Sequence, residues 1–302
     1  MLFKNASVYR LTSPLTHSAE ELIACLENQA FVPCSGIRPS SFGWIPPIPY
    51  TEDAPLAHEV AGSILLCARR EDKVIPPSAL REAIAEQVAR LESLEGRKVR
   101  NREKLNIKDD AMAELLPRAL PRSKQIMGYI TPADNLLVID TPNAAEAELF
   151  INCLRDSLGT LNLVPPQVRY KPSDIFSRWL MTRKLPDHFG LGDSCDLIDI
   201  ETGSTVSCRK QDLDTAEIRN HLEAGKLCTK LGLRWHGDFR VTVDKELILR
   251  QLKTESSDDE ANDEDNPIAR LDAEFVNLSL ELGRFLPALF AAMGGEGQSA
   301  DA

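Results

Sequence analysis

Behind Asn266-Pro267 apolar side chains return at a helical period, with Ile268, Leu271, Phe275, Leu278, Leu282, Phe285 and Leu289 along one stripe. The Asn-Pro step caps and opens this helix. So long a stripe must be covered, by the rest of the chain or by a second copy, and it marks a core or a dimer seam rather than a ligand site. It does not mark a membrane span. The most apolar stretch, Leu282 to Met293, is broken by Gly283, Arg284 and Pro287 and falls short of the roughly 18 residues a bilayer requires. No basic, apolar and small-residue succession of a secretory leader opens the chain, so a cytoplasmic protein is expected.

The other segments alternate between strand-like and helix-like patterns. Leu2–Leu11 reads as a strand and Ser18–Gln29 as a helix. Gly43-Trp-Ile-Pro-Pro-Ile-Pro49 excludes regular helix or a central strand. Gly62–Arg70 has strand length. Pro77-Ser78 opens a helix carrying Leu80, Ile84, Val88 and Leu91, supported by a Glu86–Arg90 pair and ended by Gly96. A second helix is expected over Asp109–Leu116, with a basic connection between the two. Residues 76–124 then form a projecting helical hairpin with little apolar surface of its own. Strands follow at Gln125–Thr131, Leu136–Asp140 and Leu161–Tyr170, with helices over Asn143–Leu158 and Pro172–Arg183. Cys195–Ile200 and Thr205–Lys210 flank a turn and suggest a hairpin. Asp214-Thr-Ala-Glu217 resembles a capping box. Strands Lys226–Trp235, Phe239–Val243 and Leu247–Leu252 precede the last helix. The fold class is α+β, mixed sheets with helices. Its expected divisions are an N-terminal α/β region at 1–75, the tip at 76–124, a central α/β region at 125–170 and a C-terminal α/β region at 171–302.

Charge is where the sequence speaks about partners. The 302 residues hold 35 Lys+Arg against 46 Asp+Glu, a net charge of −11. That balance argues against a polyanionic partner until its distribution is read. Residues 255–265 hold seven acids and no base; without them the charge is −4. Arg97, Lys98, Arg100, Arg102 and Lys104 crowd eight residues, and Arg118, Arg122 and Lys124 follow. Arg209-Lys210-Gln211 sits at a strand-to-helix connection suited to phosphate oxygens. Lys226, Lys230 and Arg234 recur at spacing four, hence on one face of a strand. An ordinary polar surface explains each group alone; together they favour a nucleic-acid backbone.

Catalytic chemistry is not legible. Gly190-Leu-Gly192 lacks a third glycine and reads as a loop turn. The five histidines form no i,i+3 or i,i+4 pair, and the seven cysteines, at 25, 34, 67, 153, 195, 208 and 228, form no CxxC. They read as reduced, mostly buried thiols. No metal, cofactor or catalytic residue is expected. The rival readings are a metal-dependent nuclease or Cys/His hydrolase, and an adaptor that binds only proteins.

Several segments together resemble a known family. Phe3-Lys-Asn, Val8-Tyr-Arg-Leu11, Phe31-Val-Pro-Cys34, Gly43-Trp-Ile-Pro-Pro47, Leu115-Leu-Pro-Arg-Ala119, Lys210-Gln-Asp-Leu213, Asn220-His-Leu-Glu-Ala-Gly-Lys226, Thr229-Lys-Leu231 with Trp235, and Gly294-Gly-Glu296 are similar, in order, to the recombination-associated RdgC family of proteobacteria. The resemblance implies a non-enzymatic, sequence-independent DNA-binding protein of the nucleoid. It implies a ring-shaped homodimer around duplex DNA, with single strands a further possible ligand, that limits the access of the recombinase RecA and has a link to replication. It further implies that the hairpin is the tip where two subunits close the ring, with Leu115, Leu116 and Leu120 as the apolar contact. Leu120 stands where the family tends to carry a bulky aromatic. The ring would set Arg97, Lys98, Arg100, Arg102, Lys104, Arg118, Arg122, Lys124, Arg209, Lys210, Gln211, Lys226 and Lys230 against DNA.

Overall fold

The computed structural model describes residues 1–36, 38–48, 54–254 and 266–297. The N-terminal half runs β1 (Asn5–Leu11), α1 (Ala19–Glu27), β2 (Ser40–Ile45), β3 (Ala57–Val60) and β4 (Ser63–Val74). The hairpin helices α2 (Pro77–Glu95) and α3 (Asn101–Leu115) come next. Then follow β5 (Leu120–Thr131), β6 (Leu136–Ile139), α4 (Ala144–Leu158) and β7 (Leu163–Val164). The C-terminal half adds α5 (Pro172–Thr182), β8 (Phe189–Ile198), β9 (Thr205–Arg209) and α6 (Ala216–Glu223). It closes with β10 (Leu227–Trp235), β11 (Phe239–Asp244), β12 (Leu249–Thr254) and α7 (Pro267–Ala292). The α+β class holds.

Among the described residues the strands form one antiparallel sheet ordered β2-β4-β5-β6-β1-β12-β11-β10-β8-β9, with β3 on β4 and β7 on β1. β1 is the hinge strand of this order. Ser7–Arg10 pair with β6, while Asn5 and Ala6 pair with β12. Two apolar clusters hold the sheet. One lies under α1 and α4, around Leu22, Leu26, Trp44, Ile130 and Phe150. The other joins α5, α6 and α7 to both halves of the sheet, from Tyr129 and Val138 to Trp235, Phe239 and Leu249.

Local chemistry explains most helix ends. Ser18 accepts from Glu21 N–H while the Glu21 carboxylate accepts from Ser18 N–H, a reciprocal cap on α1. Asn143 and Asn266 cap α4 and α7 through their side-chain oxygens. The stripe on α7 is buried from Leu271 to Leu289, but Ile268 stays exposed. Each buried Leu or Phe there contributes about 1.5–3 kcal/mol relative to exposure. The stripe is core, packed edge-on through Phe275 to Tyr129 at 5.5 Å and through Phe285 to Trp235 at 5.8 Å.

The helical hairpin stands on the outer ends of β4 and β5, which pair from Ile64–Ile130 to Val74–Leu120. α2 buries no side chain, and α3 buries Ile107 and Ala111, joined by Val99 of the connection. Lys73 ties the foot of the hairpin by donating to the Leu116 and Gly36 carbonyls at 3.0 and 2.6 Å.

Several local expectations are corrected. The second hairpin helix starts at Asn101, not Asp109, so Arg102 and Lys104 lie in its first turns and only Arg97–Arg100 connect. The Glu103 carboxylate accepts the Arg100 N–H at 2.8 Å and starts the helix without a Ser, Thr or Asp cap. The Glu86–Arg90 pair does not form among the described residues. Residues 161–170 keep only the two-residue strand β7, because Pro165 and Pro166 cannot continue a ladder. Gly190-Leu-Gly192 lies inside β8 rather than in a loop. α6 is capped at Thr215 with no side-chain bond, so Asp214 forms no capping box. The acidic run 255–265 lies outside the described residues.

Candidate nucleic-acid interface

The C-terminal half of the sheet turns its apolar residues to α5, α6 and α7 and leaves its other face uncovered among the described residues. On β11, Phe239, Val241 and Val243 are buried, so Arg240 and Thr242 face the opposite way. On β12, Leu249 and Leu252 are both buried although three apart. Gln251, at φ 55°, inserts a bulge between them and sends Lys253 to the open face. The floor is kept low where β8 and β10 meet: a Cβ on Gly192 would lie 2.8 Å from the Gly232 carbonyl carbon.

This face is a groove of about 970 Å³, and its lining includes Lys4, Arg209, Lys210, Arg234, Arg240 and Lys253 against one carboxylate among the described residues, Asp193. Three of these cations form a row across strands. Arg234 is directly opposite Arg240, and Arg240 directly opposite Lys253. Neighbouring strands lie about 4.8 Å apart, and like charges directly opposite destabilise a sheet. Arg234 and Lys253 make no ion pair among the described residues, so an incoming anion would relieve the positive potential they raise.

The residues nominated from sequence divide into two groups. Some are neutralised within the chain. Arg97 pairs with Glu95 at 2.6 Å and Glu103 at 2.7 Å, Lys124 with Glu146 at 2.6 Å, and Lys226 with Asp199 at 3.7 Å. Arg209 and Lys230 share Asp196, at 2.8 and 3.3 Å. Burial pushes the Asp196 carboxyl up, but the Ser207 hydroxyl, Arg209 and Lys230 outweigh it and hold its pKa below the ordinary range. Others make no ion pair among the described residues and are exposed: Lys98, Arg100, Arg102, Lys104, Arg118, Arg122 and Lys210. Lys210 follows β9 at φ 52°, which turns the chain at the groove's rim, and the Gln211 N–H donates to the Asp193 carbonyl at 3.2 Å.

The expected row of Lys226, Lys230 and Arg234 is not a row. Lys226 precedes β10, and register shifts between Cys228 and Lys230 and again between Leu231 and Leu233 break the even spacing. Arg234 is the member that lines the groove. Sequence reading missed Lys4, Arg240 and Lys253. The alternation Phe239-Arg-Val-Thr-Val243 was a signal for Arg240; nothing local signalled Lys253, whose face depends on the bulge at Gln251. The three leucines nominated for closure lie at the foot of the hairpin. Leu115 and Leu116 are half-buried, while Leu120 is 81% exposed opposite Val74, itself 49% exposed.

Among the described residues no group of three or more His, Cys, Asp or Glu side chains is placed to hold a metal ion.

Comparison with known proteins accords with the order of matched segments. A family model described as "Putative exonuclease, RdgC" matches residues 1–296. The chain is 41% identical to the recombination-associated protein RdgC of Aeromonas hydrophila over 303 residues, covering 99% of this chain and 100% of that one. It is 37% identical to the protein of the same name from Tolumonas auensis over 300 residues, covering 98% of this chain and 99% of that one. The namesake from Halorhodospira halophila is 36% identical with the same coverage. With a match that runs through both halves of the sheet and the hairpin between them, this chain belongs to the RdgC family.

Proposed function

We propose that this chain is a non-enzymatic, sequence-independent duplex-DNA-binding protein that acts in recombination. The observation that supports this reading is a groove whose lining gathers Lys4, Lys210, Arg234 and Lys253, none of which makes an ion pair among the described residues. Six adjacent strands, from β9 to β1, give a face about 24 Å across at about 4.8 Å per strand. That breadth exceeds either groove of B-DNA, about 12 and 6 Å wide, and suits contact with two phosphate rows. Cations on backbone phosphates carry affinity without sequence information.

A ring-shaped homodimer is part of this reading, supported by the resemblance to the family and by the charge of the groove. Two copies related by a dyad would set two such walls around one duplex, with Leu120 and Val74 meeting at the hairpin foot as an openable contact. The protein would then reside on the nucleoid in the cytoplasm and limit the access of RecA to DNA it surrounds. Net acidity is compatible with this, because seven of the acids fall in residues 255–265.

The test is fluorescence anisotropy on two unrelated duplexes over a salt series. Six to ten phosphate contacts predict an affinity loss of about 10³–10⁵-fold between 50 and 200 mM salt. Both sequences should give the same slope. A flat slope removes the electrostatic reading, and magnesium-dependent loss of the labelled DNA end would favour the exonuclease of the family description instead.

A further inference from the structure

β8 and β10 end beside one another with an exposed pair of histidines that the DNA reading does not use. Phe189 pairs with Trp235, and one step beyond, the His236 N–H donates to the His188 carbonyl at 3.0 Å. The two imidazoles therefore face each other across the ladder, with centroids 4.1 Å apart and planes inclined by 21°. Both residues are left-handed, at φ 69° and 47°. Histidine enters that region more readily than most residues, yet two in register is an unusual expense of backbone strain for a surface position. Beneath them the Trp235 indole stands edge-on to both rings, at 5.9 and 4.6 Å. Their outer edges face solvent, and neither ring makes a side-chain hydrogen bond among the described residues.

We propose that His188 and His236 form a two-imidazole site for a first-row divalent transition-metal ion. The ring centroids lie 4.1 Å apart, so one nitrogen of each ring can reach a shared ion at the usual metal distance of about 2.0–2.1 Å. Rotation about the imidazole χ2, which is broad for histidine, turns the stacked rings into convergent ones. Imidazole suits Cu²⁺, Ni²⁺ and Zn²⁺, with Cu²⁺ bound most strongly. Asp187 and Asp238 flank the pair in sequence, but no third protein ligand is assembled with the histidines among the described residues. Water completes the shell, so the site holds an exchangeable ion with open positions rather than a structural one.

The experiment titrates untagged protein with Cu²⁺ at about pH 7.5 and reads the electron paramagnetic resonance spectrum. One copper per chain with hyperfine coupling to two imidazole nitrogens is expected. His188→Asn and His236→Asn keep a residue that tolerates the left-handed backbone. Each should weaken binding by at least about tenfold. His221→Asn, in α6, should leave it unchanged. Acidification to about pH 5.5 should release the ion as protons compete for the nitrogens. Copper uptake unchanged in the double variant, or a spectrum with one imidazole, overturns the site and leaves the rings as a cover for Trp235. DNA affinity is not part of the readout, so this result is independent of the proposed function.

Discussion

At the scale of residues, the useful distinction is between cations whose charge is already answered and cations whose charge is not. Lys226 is held by Asp199 and the Ser204 hydroxyl, so removing it leaves Asp199 without that ion pair, while Lys230 shares Asp196 with Arg209, which keeps the carboxylate paired when Lys230 is removed. Arg234 and Lys253 make no ion pair among the described residues and sit in the groove. Arg234→Ala and Lys253→Ala should each weaken duplex binding equally on every sequence and reduce the salt slope by about 0.9. Lys226→Ala and Lys230→Ala should change the slope far less. Equal slopes for all four variants in the anisotropy series would mean that the groove is not the contact surface. The sequence showed the bases but not this division, because pairing depends on which strands adjoin. Thiols follow the same logic of place. Burial pushes the pKa of Cys67, Cys153 and Cys195 up to about 12, and Cys208 and Cys228 are also buried. Only Cys25 and Cys34 are partly open. A disulfide reagent at neutral pH should therefore titrate Cys25 promptly, Cys34 more slowly because burial and Glu71 push its thiol up, and the other five only in denaturant; five prompt thiols would contradict the packing.

Elements were legible where a cap announced them. Ser18, Asn143 and the Asn266-Pro267 step each mark a helix start that the structure keeps, and Gly96 marks an end, left-handed at φ 63°. α3 was half-hidden because its start carries neither a capping side chain nor an apolar period. What starts it is Glu103, which accepts from the Arg100 N–H and pairs with Arg97. The Arg97 hydrogen bond, then that backbone bond, hold the Glu103 pKa down to about 2. A carboxyl depressed in the folded state stabilises above its unfolded pKa, about 4.3, and loses that contribution as pH falls through the folded value. The start of α3 should therefore loosen between about pH 4.3 and pH 2, and amide exchange in residues 101–106 should report it. Glu103→Gln should remove the acid-dependent part of that change. An identical acid limb in the variant would assign the loosening to other carboxylates. The hairpin should also yield before the body does, since only Val99, Ile107 and Ala111 are buried in it. Ile107→Ala removes contacts worth about 2–5 kcal/mol in a full core. Here it should open the hairpin to proteolysis while the main melting transition stays in place.

For the whole molecule, the decisive feature is that α7 does not belong to one half. Phe275 meets Tyr129 of β5, while Phe285 meets Trp235 of β10 and Phe239 of β11, at 5.8 and 5.4 Å. β1 likewise pairs with β6 on one side and β12 on the other. The apolar stripe told from sequence alone that α7 needed a cover; that the cover would be both halves at once follows from sheet order, which no local pattern carries. Two sheets joined only by a linker would melt separately, whereas a shared helix and a shared strand couple them. Phe285→Ala should cost about 3–5 kcal/mol, and it should lower one calorimetric transition rather than split off a C-terminal one. Phe150→Ala, in the cluster under α1 and α4, should lower that same transition by a similar amount. Coupling of this kind also bears on how the proposed ring would open. If the body is one cooperative unit, the proposed dimer would open at the contacts proposed between copies, at Leu120 and Val74, and not by hinging within a chain. Two resolved transitions in either variant would return the hinge to the chain itself and detach the opening of the ring from the hairpin foot.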